Sequence, residues 1–496
     1  MKSLFRVLFC AAMSAVLCVS VFSSCNKEEE INLFLEMPGH IVSEFNQTLV
    51  IPFVSSNIAS ITVSSIPEGW SVEDLDMVAR TVTIKAPSAF ASDDNKIEEN
   101  GLLTLRGFTP AGSATTASAY LSLLNKHIDL SDKYSNSYVI SEKNTRYTID
   151  LTHKGESSEK IAPYGAYVLW QTSEELLNYS SFDAETGKFT FFVAGEDIKD
   201  SKDKVIGSRI PDGNALILAY DEEGTTLWSW HVWVTGSDVE TSAITTSAGV
   251  FMDRNLGAYH NSNGSTVADD IYGSYGLYYQ WGRKDPFVRP LDYRFTGDND
   301  QLLYGDITSS MEITYADLDT DENVGTAEYA IQNPLSYVLG SADNAYDWLY
   351  SSHDDNLWSA NTKSVNDPCP RGWRVPAANA FEVFDIDEAE DLDALANVRN
   401  MYGWHLVDKN TGVKMFMPGA GRRSFETGVL LNINNYGYDN VPAPWTGYYW
   451  TAGVSEGGKA RSMSFDLNTT RAVNNRYSAN TPMYRANGMQ IRCVRE

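Results

Sequence analysis

Basic charge is scarce in this chain: 38 Lys and Arg stand against 65 Asp and Glu over 496 residues, a formal net charge of -27 at pH 7. So acidic a balance argues against a nucleic-acid partner and against peripheral docking on anionic lipid, since both need concentrated positive charge. Histidine is rare too: His40, His127, His153, His231, His260, His353 and His405 are scattered, with no two at metal-ligand spacing. The chain lacks His-Glu-x-x-His, Gly-x-Ser-x-Gly and any phosphate-cradling loop, the usual sequence marks of a metalloprotease, a serine hydrolase and a nucleotide-binding enzyme. Glycosidase chemistry needs two carboxylates placed by the fold rather than by spacing, and no pair is singled out here. The expectation is a protein that is not an enzyme and carries no cofactor. Tandem repeats of fixed period and low-complexity linkers are absent as well.

The one long apolar run near the start, Val7 to Phe22, follows Lys2 and Arg6 and ends at Ser23-Ser24-Cys25. A basic region, an apolar stretch of this length and small residues before a cut describe a secretory signal, and the run is short for a membrane span. Residues 1–24 are expected to leave as that signal peptide. Ser23-Ser24-Cys25 resembles the lipobox of bacterial lipoproteins, which implies acylation of Cys25 and an outer-membrane anchor. Residues 25–30 then form a lipidated tether. Within it Asn26-Lys27-Glu28-Glu29-Glu30 resembles the Lys-plus-acidic signal that sends Bacteroidetes lipoproteins to the outer face of the cell; a plain solvated tether is the alternative. Lys2 and Arg6 leave with the signal, so the mature chain keeps 36 basic against 65 acidic residues. Of five cysteines, Cys10 and Cys18 leave and Cys25 is acylated. Cys369 and Cys493 remain and are expected to pair, because an exported protein can keep a disulfide.

The 43% hydrophobic and 12% aromatic content can fill large cores, and the mature length suits about three domains. Residues 31–126 alternate with a period of two: Leu33, Leu35 and Met37, then Leu49, Ile51 and Phe53, then Val82 with Ile84, Leu103 with Leu105, and Ala119, Leu121 and Leu123. Turn residues such as Pro67-Glu68-Gly69 and Pro110-Ala111-Gly112 separate these runs, the pattern of an immunoglobulin-like β-sandwich. A second β-sandwich is expected over 127–246. There Asn214 to Tyr220 turns at Asp221-Glu222-Glu223-Gly224 into Thr226 to Trp233, a strong hairpin signal. Trp228, Trp230 and Val232 share one face of that last strand, and Ser229, His231 and Trp233 the other. The three tryptophans suit either a sugar-stacking platform or one core face with Trp233 capping the edge. Residues 247–496 hold longer irregular segments, one expected helix from Ala377 to about Phe384, and closing strands in which Met489, Ile491 and Cys493 face inward.

Several ordered motifs in this last region are familiar. They are Val250 to Ala258 (VFMDRNLGA), Gly276 to Pro286 (GLYYQWGRKDP), Asp367 to Pro376 (DPCPRGWRVP), Tyr449-Trp450-Thr451 and Ile491 to Arg495 (IRCVR). Together they resemble the Fibrobacter succinogenes major paralogous domain family of exported Bacteroidetes proteins, over about half the chain. Ser137-Tyr138-Val139-Ile140 and the Trp-rich strand resemble segments that precede this domain in fimbrillin-associated surface lipoproteins. The resemblance implies an α+β, C-type-lectin-like domain over 247–496, tied by a disulfide. The whole chain is then mainly β, two immunoglobulin-like sandwiches followed by that domain. It also implies an extracellular place and a role in adhesion or as a fimbria-associated structural component. The formylglycine-generating enzymes of the same broad superfamily need a reactive cysteine, whereas Cys369 and Cys493 read as a structural bridge.

Two further segments invite ligands. Asp317, Asp319, Asp321, Asn323 and Glu328 fall at calcium-ligand positions of an EF-hand-like loop, although Glu322 stands where that loop needs Gly. A solvated acidic loop is the alternative. The Pro-, Gly- and Asn-rich stretch Tyr436 to Tyr448 carries Tyr436, Tyr438, Asp439, Trp445 and Tyr448, rigid aromatic faces with polar neighbours, which suit a bound glycan or host protein unless they pack inward. A surface glycan-binding protein of a polysaccharide-uptake system is therefore the second functional reading. Glu-Pro-Asn and Trp-Asn-Asp sugar-binding motifs are missing, so a lectin-like fold does not here imply calcium-dependent sugar binding. The anchor is tested directly: Cys25→Ala should release soluble or unprocessed protein, and protease applied to intact cells should digest the wild type. A wild type untouched by that protease would end the outward-display expectation.

Overall fold

A computed structural model of the chain describes residues 34–88, 97–203, 205–293, 300–305, 310–318, 322–350, 353–387, 401–431, 446–466 and 476–496. Cys25, Asp319, Asp321, Tyr436, Tyr438, Asp439 and Trp445 lie outside them. The described chain is mainly β, with two short α-helices, Ala268–Ser274 and Ala327–Gln332.

The first unit is a two-layer sandwich. One sheet orders the strands His40–Ser43, Ala114–Leu123, Asn100–Phe108 and Ser60–Ser65; the other orders Thr48–Pro52, Thr81–Lys85 and Ser71–Asp76. The period of two in the sequence sends Leu103, Leu105, Ala119, Leu121 and Leu123 inward from the first sheet and Ile51, Val82 and Ile84 from the second, all into one core. Each of these Leu, Ile and Val side chains contributes about 1.5–3 kcal/mol on burial.

The second unit pairs a four-stranded sheet (Lys126–Asp129, Thr145–Asp150, Lys188–Val193, Asn178–Asp183) with a six-stranded one. The latter orders Ser137–Ile140, Thr226–Val234, Gly213–Tyr220, Gly165–Gln171, Leu303–Tyr304 and Ser310–Met311. Its last two strands come from the third region, so one hydrogen-bonded sheet runs from the second unit into the third. Its inner face gives Val168, Ile217, Trp228, Trp230 and Val232 to the sandwich core. Its outer face gives Leu216 and Trp233 to the core of the third region. The register of Gly165–Gln171 against Gly213–Tyr220 shifts between Val168 and Trp170. Two residues apart on a regular strand would share a face; the bulge sends Val168 to one core and Trp170 to the other. Trp233 is therefore not an edge cap: it is fully buried, and its indole Nε1 donates to the Ala258 carbonyl at 2.8 Å. Burial of all three tryptophans also removes the sugar-stacking platform.

The third region packs Trp281, Trp348, Trp358, Trp373 and Trp450 around Cys369 and Cys493. The expected helix at Ala377–Phe384 is instead a run of tight turns leading into the strand Phe384–Ile386. Ala380, Glu382 and Phe384 donate three residues back, to Ala377, Asn379 and Phe381. Eight residues cannot nucleate a helix unaided, and the segment is held by Phe381 and Phe384 plugging a core with Phe251.

Cys369 and Cys493 form the disulfide, 124 residues apart in sequence and both buried. Closing a loop of that length is worth roughly 4–5 kcal/mol by the chain-entropy argument. Thermal melts should show a marked drop for the Cys369→Ala/Cys493→Ala pair, and reductant should lower the wild-type transition toward it. Peptide mapping of the native protein that finds both thiols free would contradict the bridge.

Candidate functional site

Most charged residues of the motifs turn to the interior, while Arg371 and Arg495 are exposed and Arg374 is half-buried. Arg254 grips Asp253 with two parallel bonds, Nε to Oδ1 at 2.8 Å and Nη2 to Oδ2 at 2.9 Å, and its Nη1 reaches Thr235 Oγ1 at 3.0 Å. Arg492 donates to Asn255 Oδ1 at 2.8 Å, to the Asp253 carbonyl at 2.9 Å and to the Phe416 carbonyl at 3.0 Å. Gln280 Nε2 bonds the carbonyls of Val338 at 2.7 Å and Ala486 at 2.9 Å, while Arg283 bonds Gln280 Oε1 and the Ser336 carbonyl, both at 2.8 Å. Burial pulls Arg283 and Arg492 down to about 10, so both stay charged at neutral pH. Asp367 accepts the amides of Cys369 and Val375 at 2.9 Å each, fixing the turn that carries the disulfide; burial pushes its carboxyl up to about 6. These are internal fasteners, and none opens onto a cleft.

The polar residues of the Trp-rich strand are bound in the same way. Lys284 lies with its Nζ 4.4 Å from the Trp228 ring centre and 2.6 Å from Asp285 Oδ1, and Ser229 Oγ donates to that same oxygen at 2.5 Å. His231 sits between Ser137 Oγ, 3.0 Å from Nδ1, and Asn214 Oδ1, 2.9 Å from Nε2. Asn214 Nδ2 donates to the Gly257 carbonyl at 2.9 Å, so its oxygen faces the ring and the neutral imidazole carries its proton on Nε2. Burial alone pulls His231 down to about 3.

The ligand candidates from the sequence fall in different places. Asp317 ends the strand Thr314–Asp317, Asn323 lies in the turn Glu322–Val324, and Glu328 opens the helix Ala327–Gln332, its Oε1 accepting from Gln332 Nε2 at 3.2 Å. Among the described residues no group of three or more His, Cys, Asp or Glu is placed to hold a metal ion. Tyr448, the described member of the aromatic loop, is half-buried, with the Arg422 guanidinium 5.8 Å from its ring centre.

A cleft of about 420 Å³ is lined by Glu156, Lys363, Arg374 and Glu496, another of about 360 Å³ by Asp300, Gln301, Glu312 and Tyr315, and two more lie where the first and second units meet. One cleft of about 460 Å³ is lined by His40, Tyr120, Glu175, Asn178 and Asp197 among others. A second, of about 320 Å³, is lined by Glu98, Glu99, Lys143 and Ser208 and shares Asp197. Tyr120 donates to the Gly195 carbonyl and lies 3.1 Å from Asp197 Oδ1, and Lys143 pairs with Glu99 at 3.2 Å. Nothing in the period-two pattern of either sandwich marks this junction, which joins residues of strands and turns from both units.

No family model matches the chain, and no curated protein matches it. Solved structures with local likeness include fibronectin(III)-like modules of Clostridium thermocellum CbhA, at 13% identity over 18% of this chain and 95% of that one, TM-score 0.11. Another is SGBP-B of the Bacteroides ovatus mixed-linkage glucan utilization locus, in complex with a mixed-linkage heptasaccharide, at 11% identity over 39% of this chain, TM-score 0.12. A third is the human Desmocollin-1 ectodomain, at 11% identity over 42% of this chain, TM-score 0.15. The chain spans 42% and 41% of the length of the latter two. At these TM-scores the likeness bears on neither fold nor function.

The buried histidine has a measurable consequence. Its folded pKa lies below the ordinary 6.5, so the stability it contributes is full above pH 6.5 and falls by about 1.4 kcal/mol per pH unit as pH drops toward 3. Asp367 acts in the opposite sense between pH 6 and 4, because the folded chain takes that proton first. Urea midpoints at pH 7, 5 and 4 for wild type and His231→Gln isolate the histidine: the variant should lose one proton's worth of pH dependence. Parallel curves would show that His231 is protonated in the fold.

Proposed function

We propose that this is a non-enzymatic, lipid-anchored bacterial surface protein whose two sandwiches lift a Fibrobacter succinogenes major paralogous, lectin-like region off the outer membrane for adhesion, as a fimbria-associated component. One observation carries the reading: most of the charged motif residues are consumed inside the fold, and only Arg371, Arg374 and Arg495 reach its surface. Arg254, Arg283, Lys284, Asp367 and Arg492 are each buried with protein partners. A catalytic constellation would leave such groups facing a cleft where substrate could reach them. A rigid frame that spends its polar groups on itself leaves recognition to loops and surface side chains. The segment Tyr436–Tyr448, which enters the strand Thr446–Ser455, is the loop we assign to that task.

The test is a screen of soluble residues 27–496 against host-matrix proteins and glycans, repeated with Tyr438→Ala/Trp445→Ala. We expect the double variant to lose binding to the captured matrix protein at least tenfold with an unchanged melting temperature. A large loss of stability would assign the loop to the core, and unaltered binding would remove it from the site.

A further inference from the structure

We propose that Tyr164, Tyr167 and Tyr220 form a stacking platform for a neutral polysaccharide on the outer face of the six-stranded sheet. The inference goes beyond the adhesive reading and gives the glycan-binding alternative a site. The strand Gly165–Gln171 pairs with Gly213–Tyr220, which sets Gly165 opposite Tyr220. Tyr164 N donates to the Tyr220 carbonyl at 2.8 Å, closing the end of that ladder. The Tyr220 ring lies over Gly165: a Cβ there would come within 2.3 Å of the Tyr220 hydroxyl, so only glycine lets the ring settle. Tyr164 and Tyr167 flank it, their ring centres 6.5 and 6.0 Å away and their planes tilted by 56° and 55°.

These rings stand out against the rest of the molecule. Nine tryptophans are fully buried, yet Tyr164 is 61% and Tyr167 36% exposed. Phe34, Tyr179, Tyr315 and Tyr350 are also exposed, but among the described residues only here do two exposed rings share a third. Tyr167 and Tyr220 stand on strands, and Tyr164, one residue before its strand, is tied to them by its amide bond to the Tyr220 carbonyl. Farther along the same face, Leu216 and Trp233 are locked into the core of the third region, so the rings are held on a rigid sheet and keep their apolar faces in water. That exposure is costly unless something covers it.

The choice of occupant follows from the chemistry. Tyrosine joins an apolar face to a hydroxyl, which matches a sugar ring with its C–H face and hydroxyl edge. The turn that follows Tyr220 carries Asp221, Glu222 and Glu223, with both glutamates exposed. Carboxylates accept from sugar hydroxyls and repel a polyanion, so the platform suits a neutral chain and not a sulfated or uronic one.

Affinity electrophoresis of soluble residues 27–496 through gels holding β-glucan, xylan, mannan or starch, with heparin and alginate as polyanions, tests this. At least one neutral polymer should retard the wild type. Tyr164→Ala/Tyr167→Ala should weaken that retardation at least tenfold with an unchanged melting temperature, while Tyr220→Phe should keep it. If the double variant melts early, Tyr164→Ser alone, a change outside the strand, should still weaken binding. Retardation by polyanions alone, by no polymer, or equally in wild type and variants would overturn the platform. Because the adhesive reading is tested through Tyr438 and Trp445, either can fail without the other.

Discussion

The fold depends on one strand, Thr226–Val234, that is buried on both faces of its sheet. In an ordinary sandwich one face of each sheet meets water, and polar side chains on that face need no partner. The strand Thr226–Val234 has no such face: Trp228, Trp230 and Val232 enter one core, and Trp233 enters another. Ser229 and His231 therefore have to be satisfied within the protein. The third region supplies what they need, through Lys284 and Asp285 for Ser229 and, by way of Asn214, the Gly257 carbonyl for His231, whose Nδ1 accepts from Ser137. Second and third regions thus share both apolar contacts and a chain of obligatory hydrogen bonds.

The same constraint explains why so acidic a chain keeps so many cations inside. Arg254, Arg283, Arg423, Arg485 and Arg492 are all nearly or fully buried. Guanidinium offers several fixed donors, and these arginines spend them largely on backbone carbonyls, many in connections that lack a regular ladder, such as Asp253, Val288 and Gly428. Long irregular segments leave carbonyls that neither helix nor sheet can satisfy; a buried arginine can hold several at once. The cost is desolvation, and removing one member of a pair such as Arg254–Asp253 would leave an uncompensated buried charge, typically a loss of about 3–5 kcal/mol.

Much of this was legible in the sequence, and what was not has a physical cause. Alternation of Val82 with Ile84 and of Leu103 with Leu105 read correctly as inward faces, since a half-buried strand writes its orientation in a period of two. The hairpin into Thr226 and the Cys369–Cys493 pair were also visible. The burial of Trp233 was not, because a strand covered on both sides shows no polar face, and a bulge such as that between Val168 and Trp170 breaks the period silently. The turns at Ala377–Phe384 were read as a helix because spacing records which residues are apolar, not whether the backbone closes bonds three or four residues back. The tyrosine platform escaped notice because its members are joined by strand register, with Tyr220 more than fifty positions from Tyr164.

The two junctions of the molecule differ in kind. Between second and third regions lie a continuous sheet and buried tryptophans. Between first and second units the contacts are mostly polar: Lys143 with Glu99, Tyr120 with Asp197 and the Gly195 carbonyl, and the Tyr179 hydroxyl with the His40 carbonyl. Clefts of about 460 and 320 Å³ run through them. Half-buried ion pairs and single hydrogen bonds of this sort contribute about 0.5–1.5 kcal/mol each, because water replaces them when they part. A pull along the chain would therefore open the first junction well before it disturbed the second. Under the proposed surface role that ordering has a use: the first unit can move while the sheet bearing the tyrosines and the disulfide-tied region behind it stay as one body.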